Sequence, residues 1–326
     1  MNKLHAGQAF SVTAADGYSL RGFAWRHAPE AAGAEAPSAR PVVIINPATS
    51  VRCRYYARFA AFLFRHGFDV LTYDYRGIGE SRPASLRGFQ ASWLDWGRLD
   101  CEALLGYAAT HFPGQPIDVV AHSVGGFVLG LATSNQRVRR VFTMGAQFAY
   151  WRDYVAAKRW RMFAKWHLLM PLLTAICGYF PGQRLGWLED TPRGVVRDWT
   201  ARSPRCEDIW RLSDEERRAL LAGFAALTAP TLALSVSDDD FGTVDAIERL
   251  LGYFAHSRSI HLRIAPTAVG EAAIGHFAFF HSRFEDSLWA IPLAWLRDGE
   301  VLEAAAPARL LVEPVTAPVV ARLLWQ

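Results

Sequence analysis

Ser123 lies in the run Ile117-Asp118-Val119-Val120-Ala121-His122-Ser123-Val124-Gly125-Gly126-Phe127, where an apolar stretch ends in a hydroxyl and small residues follow at once. The pattern predicts a strand, a sharp turn and a helix, with Ser123 at the apex and its hydroxyl lifted clear of the backbone. Such a turn crowds strand against helix, so its flanking positions require small side chains. The usual spacing is G-x-S-x-G; here Ala121 takes the first glycine place and Gly125 keeps the second. A serine that merely caps a helix leaves the same local pattern, so partners elsewhere in the chain must decide.

A serine hydroxyl is a weak nucleophile that needs a general base, and the base needs an orienting acid. After an elbow of this type the partners follow in the chain order Ser, acid, His. The stretch Thr231 to Val236 leads into Ser237-Asp238-Asp239-Asp240. Three adjacent carboxylates repel one another if all are buried, so one is expected to be buried and hydrogen-bonded while the others face water. Asp239 is the expected acid and Asp238 the alternative; Asp240 suits the cap of the next helix. Further on, Ile274-Gly275-His276-Phe277 supplies His276 as the expected base, with Gly275 leaving its ring room to turn toward Ser123. His122 adjoins Ser123 but projects from the other side of its strand, and His281 reads as structural. Acyl transfer also needs donors for a developing oxyanion. One is the N–H of Val124, at a helix N-terminus whose dipole favours negative charge. The second is sought in Asn46-Pro47-Ala48-Thr49. Proline has no N–H, so Ala48 is the expected donor, and Thr49 adds a hydroxyl.

The elements that must hold these residues read as short strands alternating with helices. Gln8 to Thr13 and Tyr18 to Ala24 form a predicted hairpin about Asp16-Gly17, and residues 27–40 read as a surface loop. Strands follow at Pro41 to Ile45, Asp69 to Tyr73, Ile117 to Ala121, Val138 to Met144, Thr231 to Val236 and Ile260 to Ala265. Helices are predicted over 54–66, 93–111, 124–132, 244–254 and 284–296. Near-continuous apolar strands between helices predict a mostly parallel sheet covered on both faces. Between Gln147 and Ala229 the alternation stops. This insert reads as helical and holds six of the twelve tryptophans. A helical insert after a mid-sheet strand is placed to cap the C-terminal sheet edge, where open α/β sheets bind ligands. Most of its aromatics are expected to fill its own core.

Composition narrows the classes. A 326-residue chain with 51% hydrophobic and 20% charged residues has the makings of a substantial core. A net charge of +4 is too small to point to nucleic acid, and no nucleic-acid partner is expected. Residues 1–10 lack the pattern of a secretory signal, and the longest apolar stretch, 166–180, is shorter than the roughly 20 residues of a membrane span. The four cysteines, Cys53, Cys101, Cys177 and Cys206, lie far apart and read as reduced thiols of a cytoplasmic protein. No metal-ligand spacing, phosphate-binding glycine loop or cofactor lysine stands out, so no cofactor is expected.

Taken together, the residues resemble the α/β-hydrolase superfamily. Asp74-Tyr75-Arg76-Gly77-Ile78-Gly79-Glu80-Ser81 is similar to its D-x-R-G-x-G-x-S loop, which supports the fold more than the chemistry. The resemblance extends over 8–298. Within the superfamily the chain is similar to bacterial predicted serine hydrolases with a helical cap, which share runs such as Gly178-Tyr179-Phe180-Pro181-Gly182 and Ile274-Gly275-His276-Phe277. It implies a core in two parts (1–146 and 230–298), a helical cap (147–229) and a C-terminal extension (299–326) that covers a groove or joins a dimer contact. Asn46-Pro47 departs from the frequent His-Gly, as Ala121 departs from glycine. The expected substrate is a small acyl compound, an ester, thioester or amide with an apolar acyl part, because aromatic walls exclude water. Transfer to an acceptor other than water and a non-catalytic ligand-binding or scaffold role stand as alternatives. From Tyr150 to Arg205 there are ten Lys/Arg against four Asp/Glu. This reads as a solvated basic face, with an anionic membrane surface or an acyl-CoA as the second reading. The oligomeric state is left open.

Overall fold

The computed structural model describes residues 7–28 and 40–301. Most of the expected 27–40 loop, and the C-terminal extension from residue 302 onward, lie outside the described residues. Ten strands occur among the described residues: β1 (Gln8–Thr13), β2 (Ser19–Trp25), β3 (Val42–Asn46), β4 (Asp69–Tyr73), β5 (Ile117–His122), β6 (Val138–Met144), β7 (Tyr179–Phe180), β8 (Thr191–Pro192), β9 (Thr231–Val236) and β10 (Ser259–Ile264). Eight form one sheet in the order β1-β2-β4-β3-β5-β6-β9-β10. β1 and β2 pair antiparallel, as do β2 and β4, and every other pairing is parallel. The central strands β3, β4, β5 and β9 are buried along their whole length, as strands covered on both faces must be.

Alternate residues of each strand feed two cores. Val42, Ile44, Val119 and Ala121 face Trp96, Leu104, Phe127 and Val128 on one side. Val43, Ile45, Val120 and Phe142 face Phe59, Phe62, Trp289 and Trp295 on the other. The helix over 93–111 starts with a capping box at Ser92 and Asp95 and passes through a π-helical stretch, Trp96–Cys101. The last helix is Ala290–Asp298, shorter at its start than the sequence predicts, because Ser282–Phe284 forms a 3₁₀ turn that plugs Phe284 into the core. Between β6 and β9 the chain is mainly helical, Arg159–Phe163, Met170–Cys177, Arg193–Trp199 and Asp214–Ala225 being its chief helices, but it also contains the small β7–β8 ribbon.

The Asp74 to Ser81 loop is structural. The Asp74 carboxylate accepts from the backbone N–H groups of Cys53 (2.6 Å) and Glu80 (2.8 Å), and the Ser81 hydroxyl donates to Asp74 O at 2.7 Å. Burial pushes the Asp74 carboxyl up to about 6 even so. Arg76 donates through Nε to Asp100 Oδ1 (2.7 Å) and through Nη1 to Asp16 Oδ2 (2.6 Å), stapling this loop to the hairpin and to the 93–111 helix.

Candidate active site

Ser123 ends β5 with φ 54° and ψ −123°, a backbone region that L-residues avoid at a cost of about 1–3 kcal/mol. Its N–H donates to Met144 O (3.0 Å), so sheet pairing runs right up to the turn. The next residue opens the helix Val124–Leu131. As the first residue of the helix, Val124 has an N–H with no intrahelical acceptor, and the residue lines the same cavity as Ser123. Gly125 is required by close approach: a Cβ there would lie 2.5 Å from Asn46 O. Asn46, in the place of the frequent histidine, ties β3 to this helix. Its Nδ2 donates to Gly125 O (3.2 Å), and its Oδ1 accepts from the Tyr73 hydroxyl (3.0 Å). Ala121 sits fully buried in the core and its methyl is accommodated there.

The three aspartates after β9 separate cleanly. Asp239 is buried, and its Oδ2 lies 2.7 Å from His276 Nδ1. Its Oδ1 accepts from the N–H groups of Phe241 and Gly242, each at 2.8 Å. Burial raises the Asp239 pKa, but the His276 charge and hydrogen bond, helped by those two N–H donors, outweigh it and hold the carboxyl below its ordinary value. Asp238, the alternative acid, does not meet the imidazole. Its Oδ2 accepts from Ile274 N (2.9 Å) and Gly275 N (3.0 Å) and so anchors the loop that carries His276. Asp240 pairs with Lys158 at 2.9 Å. It does not cap the following helix; Thr243 does. Gly275 has φ +60° with open space where a Cβ would be, so its conformation, not room for the ring, explains the glycine.

Sequence reasoning missed Gly145 and Gln147. A Cβ at Gly145 (φ +58°) would lie 3.0 Å from Asp239 Oδ2 and 3.2 Å from the His276 ring, so the Asp–His pair needs a glycine there. A glycine directly after the strand beside the elbow is the signal that could have found it. Gln147 Nε2 lies 3.4 Å from Ser123 Oγ, a long contact that gives the resting hydroxyl a weak donor.

Ala48 requires a correction. Its N–H is not free: it donates to the Tyr56 hydroxyl at 2.9 Å. That oxygen lies 2.8 Å from His122 Nδ1, and His122 Nε2 lies 2.8 Å from His276 O. A carbonyl only accepts, so Nε2 carries the hydrogen and Tyr56 donates to Nδ1. Burial, then the neighbouring His276, pushes His122 down to about 3, which keeps it neutral. Both its nitrogens are therefore engaged, and this chain of bonds links the loop after β3 to the backbone of His276. Tyr56→Phe would strip partners from Ala48 N–H and His122 Nδ1 deep in the core. The expected loss is about 1–3 kcal/mol of folding stability, read as a lower urea midpoint; an unchanged midpoint would mean that the network contributes nothing.

Ser123, His276, Val124 and Thr49 open onto one cavity of about 250 Å³. Trp166, Trp187 and Trp199 of the segment between β6 and β9 form much of its wall, joined by Phe241 and Phe277. The other three tryptophans of that segment do not line it: Trp151 and Trp160 pack with Phe163, and Trp210 stacks on Phe127. Among the described residues no group of three or more His, Cys, Asp or Glu is placed to hold a metal ion, and no helix is long and apolar enough to cross a membrane.

An eight-stranded, mostly parallel sheet with helices on both faces and a strained serine between β5 and its helix defines the α/β-hydrolase fold. Residues 37–198 match the family model of the serine aminopeptidases, S33. That span includes the serine turn and ends before Asp239 and His276. Solved structures agree on the fold. DcsB, bound to a substrate analogue, is 14% identical with a TM-score of 0.55 over 90% of this chain and 100% of that one. The α/β hydrolase GrgF from Penicillium sp. sh18 is 18% identical with a TM-score of 0.52 over 90% and 99%. An esterase from Pyrococcus furiosus is 15% identical with a TM-score of 0.51 over 87% and 88%. No curated protein matches the chain. The solved structures show the α/β-hydrolase fold, and the matched span, just under half of the chain, is similar to a hydrolase family.

Proposed function

We propose that the protein is a serine hydrolase that cleaves a small ester or thioester with an apolar acyl part through an acyl-serine intermediate. The observation that carries this is the buried Asp239–His276 pair at 2.7 Å, opening with Ser123 onto one tryptophan-walled cavity. Ser123 Oγ attacks the carbonyl carbon while His276 Nε2 takes its proton. The oxyanion is met by the Val124 N–H and the Thr49 hydroxyl; the Ala48 N–H contributes only if Tyr56 releases it. As the intermediate collapses, the carbonyl-to-leaving-group bond breaks and His276 returns the proton to the alcohol or thiol. Water, deprotonated by His276, then attacks the acyl-enzyme and frees Ser123. In this reading residues 147–229 act as a cap whose tryptophans exclude water from the acyl-enzyme.

Action as an aminopeptidase, the name of the matched family, fits the cavity less well. A free α-ammonium requires a carboxylate to receive it, and the charged side chain in the wall, apart from His276, is Lys165. A fluorophosphonate probe tests the proposal directly. Labelling of the wild type, absent in Ser123→Ala, is the expected result, together with faster ester hydrolysis as the acyl chain lengthens from two to about five carbons. A folded wild type that takes no label would favour the ligand-binding or scaffold role.

A further inference from the structure

Lys165 is out of place in an apolar cavity. It belongs to the π-helical stretch Ala164–Leu169 and lines the space shared by Ser123 and His276. Its ammonium stands over two indole rings, 4.4 Å from the Trp166 centroid and 4.0 Å from that of Trp187. These contacts fix the charge in position. They engage the cation but give its three N–H donors no oxygen. Among the described residues, Lys165 has no hydrogen-bond or ion-pair partner, whereas the nearby Lys158 is matched by Asp240. Burial and the neighbouring Arg161 charge both lower the Lys165 pKa, as expected for a cation that no carboxylate compensates. The side chain is thus held, partly desolvated and unpaired, in the wall of the cavity that Ser123 opens onto.

We propose that Lys165 is a specificity residue that receives a carboxylate on the substrate, so that the favoured acyl group is a short apolar chain ending in an anion. The inference rests on the acyl-serine reading above and adds the substrate class to it. Ser123, Lys165 and three tryptophans line one cavity, so a single short acyl group would run from the serine to the lysine. A dicarboxylic half-ester of four to six carbons carries the apolar chain and the terminal charge that this lining calls for. Apolar methylenes would lie along the tryptophans, the ester carbonyl at Ser123 and the distal carboxylate at Lys165.

The test compares mono-p-nitrophenyl glutarate with its neutral methyl ester and with p-nitrophenyl valerate. The expected ratio of kcat/KM, anionic over neutral, is roughly tenfold or more in the wild type, the scale of one charge-assisted hydrogen bond. It should fall to about one in Lys165→Met, be kept in Lys165→Arg, and invert in Lys165→Glu. A wild-type ratio near one, or a ratio that Lys165→Met leaves intact, overturns the proposal. A second readout does not need turnover: glutarate should quench or shift the tryptophan fluorescence of Ser123→Ala at concentrations where valeramide does nothing, and the response should vanish in Ser123→Ala/Lys165→Met. Anion-dependent fluorescence without ester turnover in the wild type would sink the acyl-serine reading while leaving the anion site standing. Equal responses to glutarate and valeramide would sink the anion site.

Discussion

Ser123→Ala is expected to lower ester turnover by about three to six orders of magnitude, and His276→Ala to lower it comparably. In the proposed mechanism the two act in one event, since the hydroxyl is a poor nucleophile until the imidazole takes its proton. The double variant should therefore be no worse than the poorer single one, a non-additivity that independent binding contacts would not give. Stability should change little in Ser123→Ala. Alanine meets the same φ of 54° at the same cost, and among the described residues the hydroxyl takes with it only the long hydrogen bond from Gln147. A thermal midpoint within a few degrees of wild type would therefore separate lost chemistry from lost fold. Initial rates on p-nitrophenyl valerate and a melting curve decide the matter. Turnover within tenfold of wild type in either variant would remove that residue from the mechanism.

Much of the framework was legible because buried parallel strands carry an unambiguous signal. β4, β6 and β9 fall where their apolar runs predict, and β5 extends one residue further, to His122. The Ser123 turn was legible for a similar reason, since few patterns other than a tight strand-to-helix turn demand small residues on both sides of a serine. The choice among Asp238, Asp239 and Asp240 was harder. Three identical residue types differ only in which backbone N–H groups and which ring they face, and that depends on loops brought in from residues 274–276. Ala48 shows a different limit. Excluding Pro47 established which residue owns an N–H, but whether that N–H is occupied depended on a tyrosine eight residues on. In the insert, helical periodicity says which residues share a face but not what the face meets. Trp166 reaches the cavity, while Trp160, 71% exposed, lies outside it. Lys165, one of ten basic residues from Tyr150 to Arg205, acquires its distinct place only from the two indole rings beside it.

Asp239→Asn and Asp238→Asn are expected to behave very differently despite being adjacent and chemically identical changes. Asp239 accepts from His276 Nδ1 and so keeps the lone pair on Nε2, the atom that acts as base in the proposed mechanism. An amide can turn its NH₂ toward Nδ1 and stabilise the opposite tautomer, which has no base to offer. The expected loss is about 10⁴-fold in kcat. Asp239→Asn should also change acid unfolding. The folded carboxyl binds its proton less tightly than an unfolded one, whose pKa is about 3.9. Its contribution to stability is therefore complete above that value and is lost as pH falls through the lower folded pKa. The variant should lose this acid-dependent portion, visible as a shallower fall in urea midpoint below about pH 4. Asp238→Asn keeps an oxygen for the N–H groups of Ile274 and Gly275 and should cost less than about tenfold in kcat. Asp238→Ala removes that acceptor and should destabilise the chain by about 1–3 kcal/mol, releasing the His276 loop. The two asparagine variants, assayed side by side for kcat and for urea midpoint against pH, discriminate the roles. If Asp238→Asn were the more damaging to kcat, the carboxylate that orients the base would be Asp238, and the 2.7 Å contact of Asp239 would be structural.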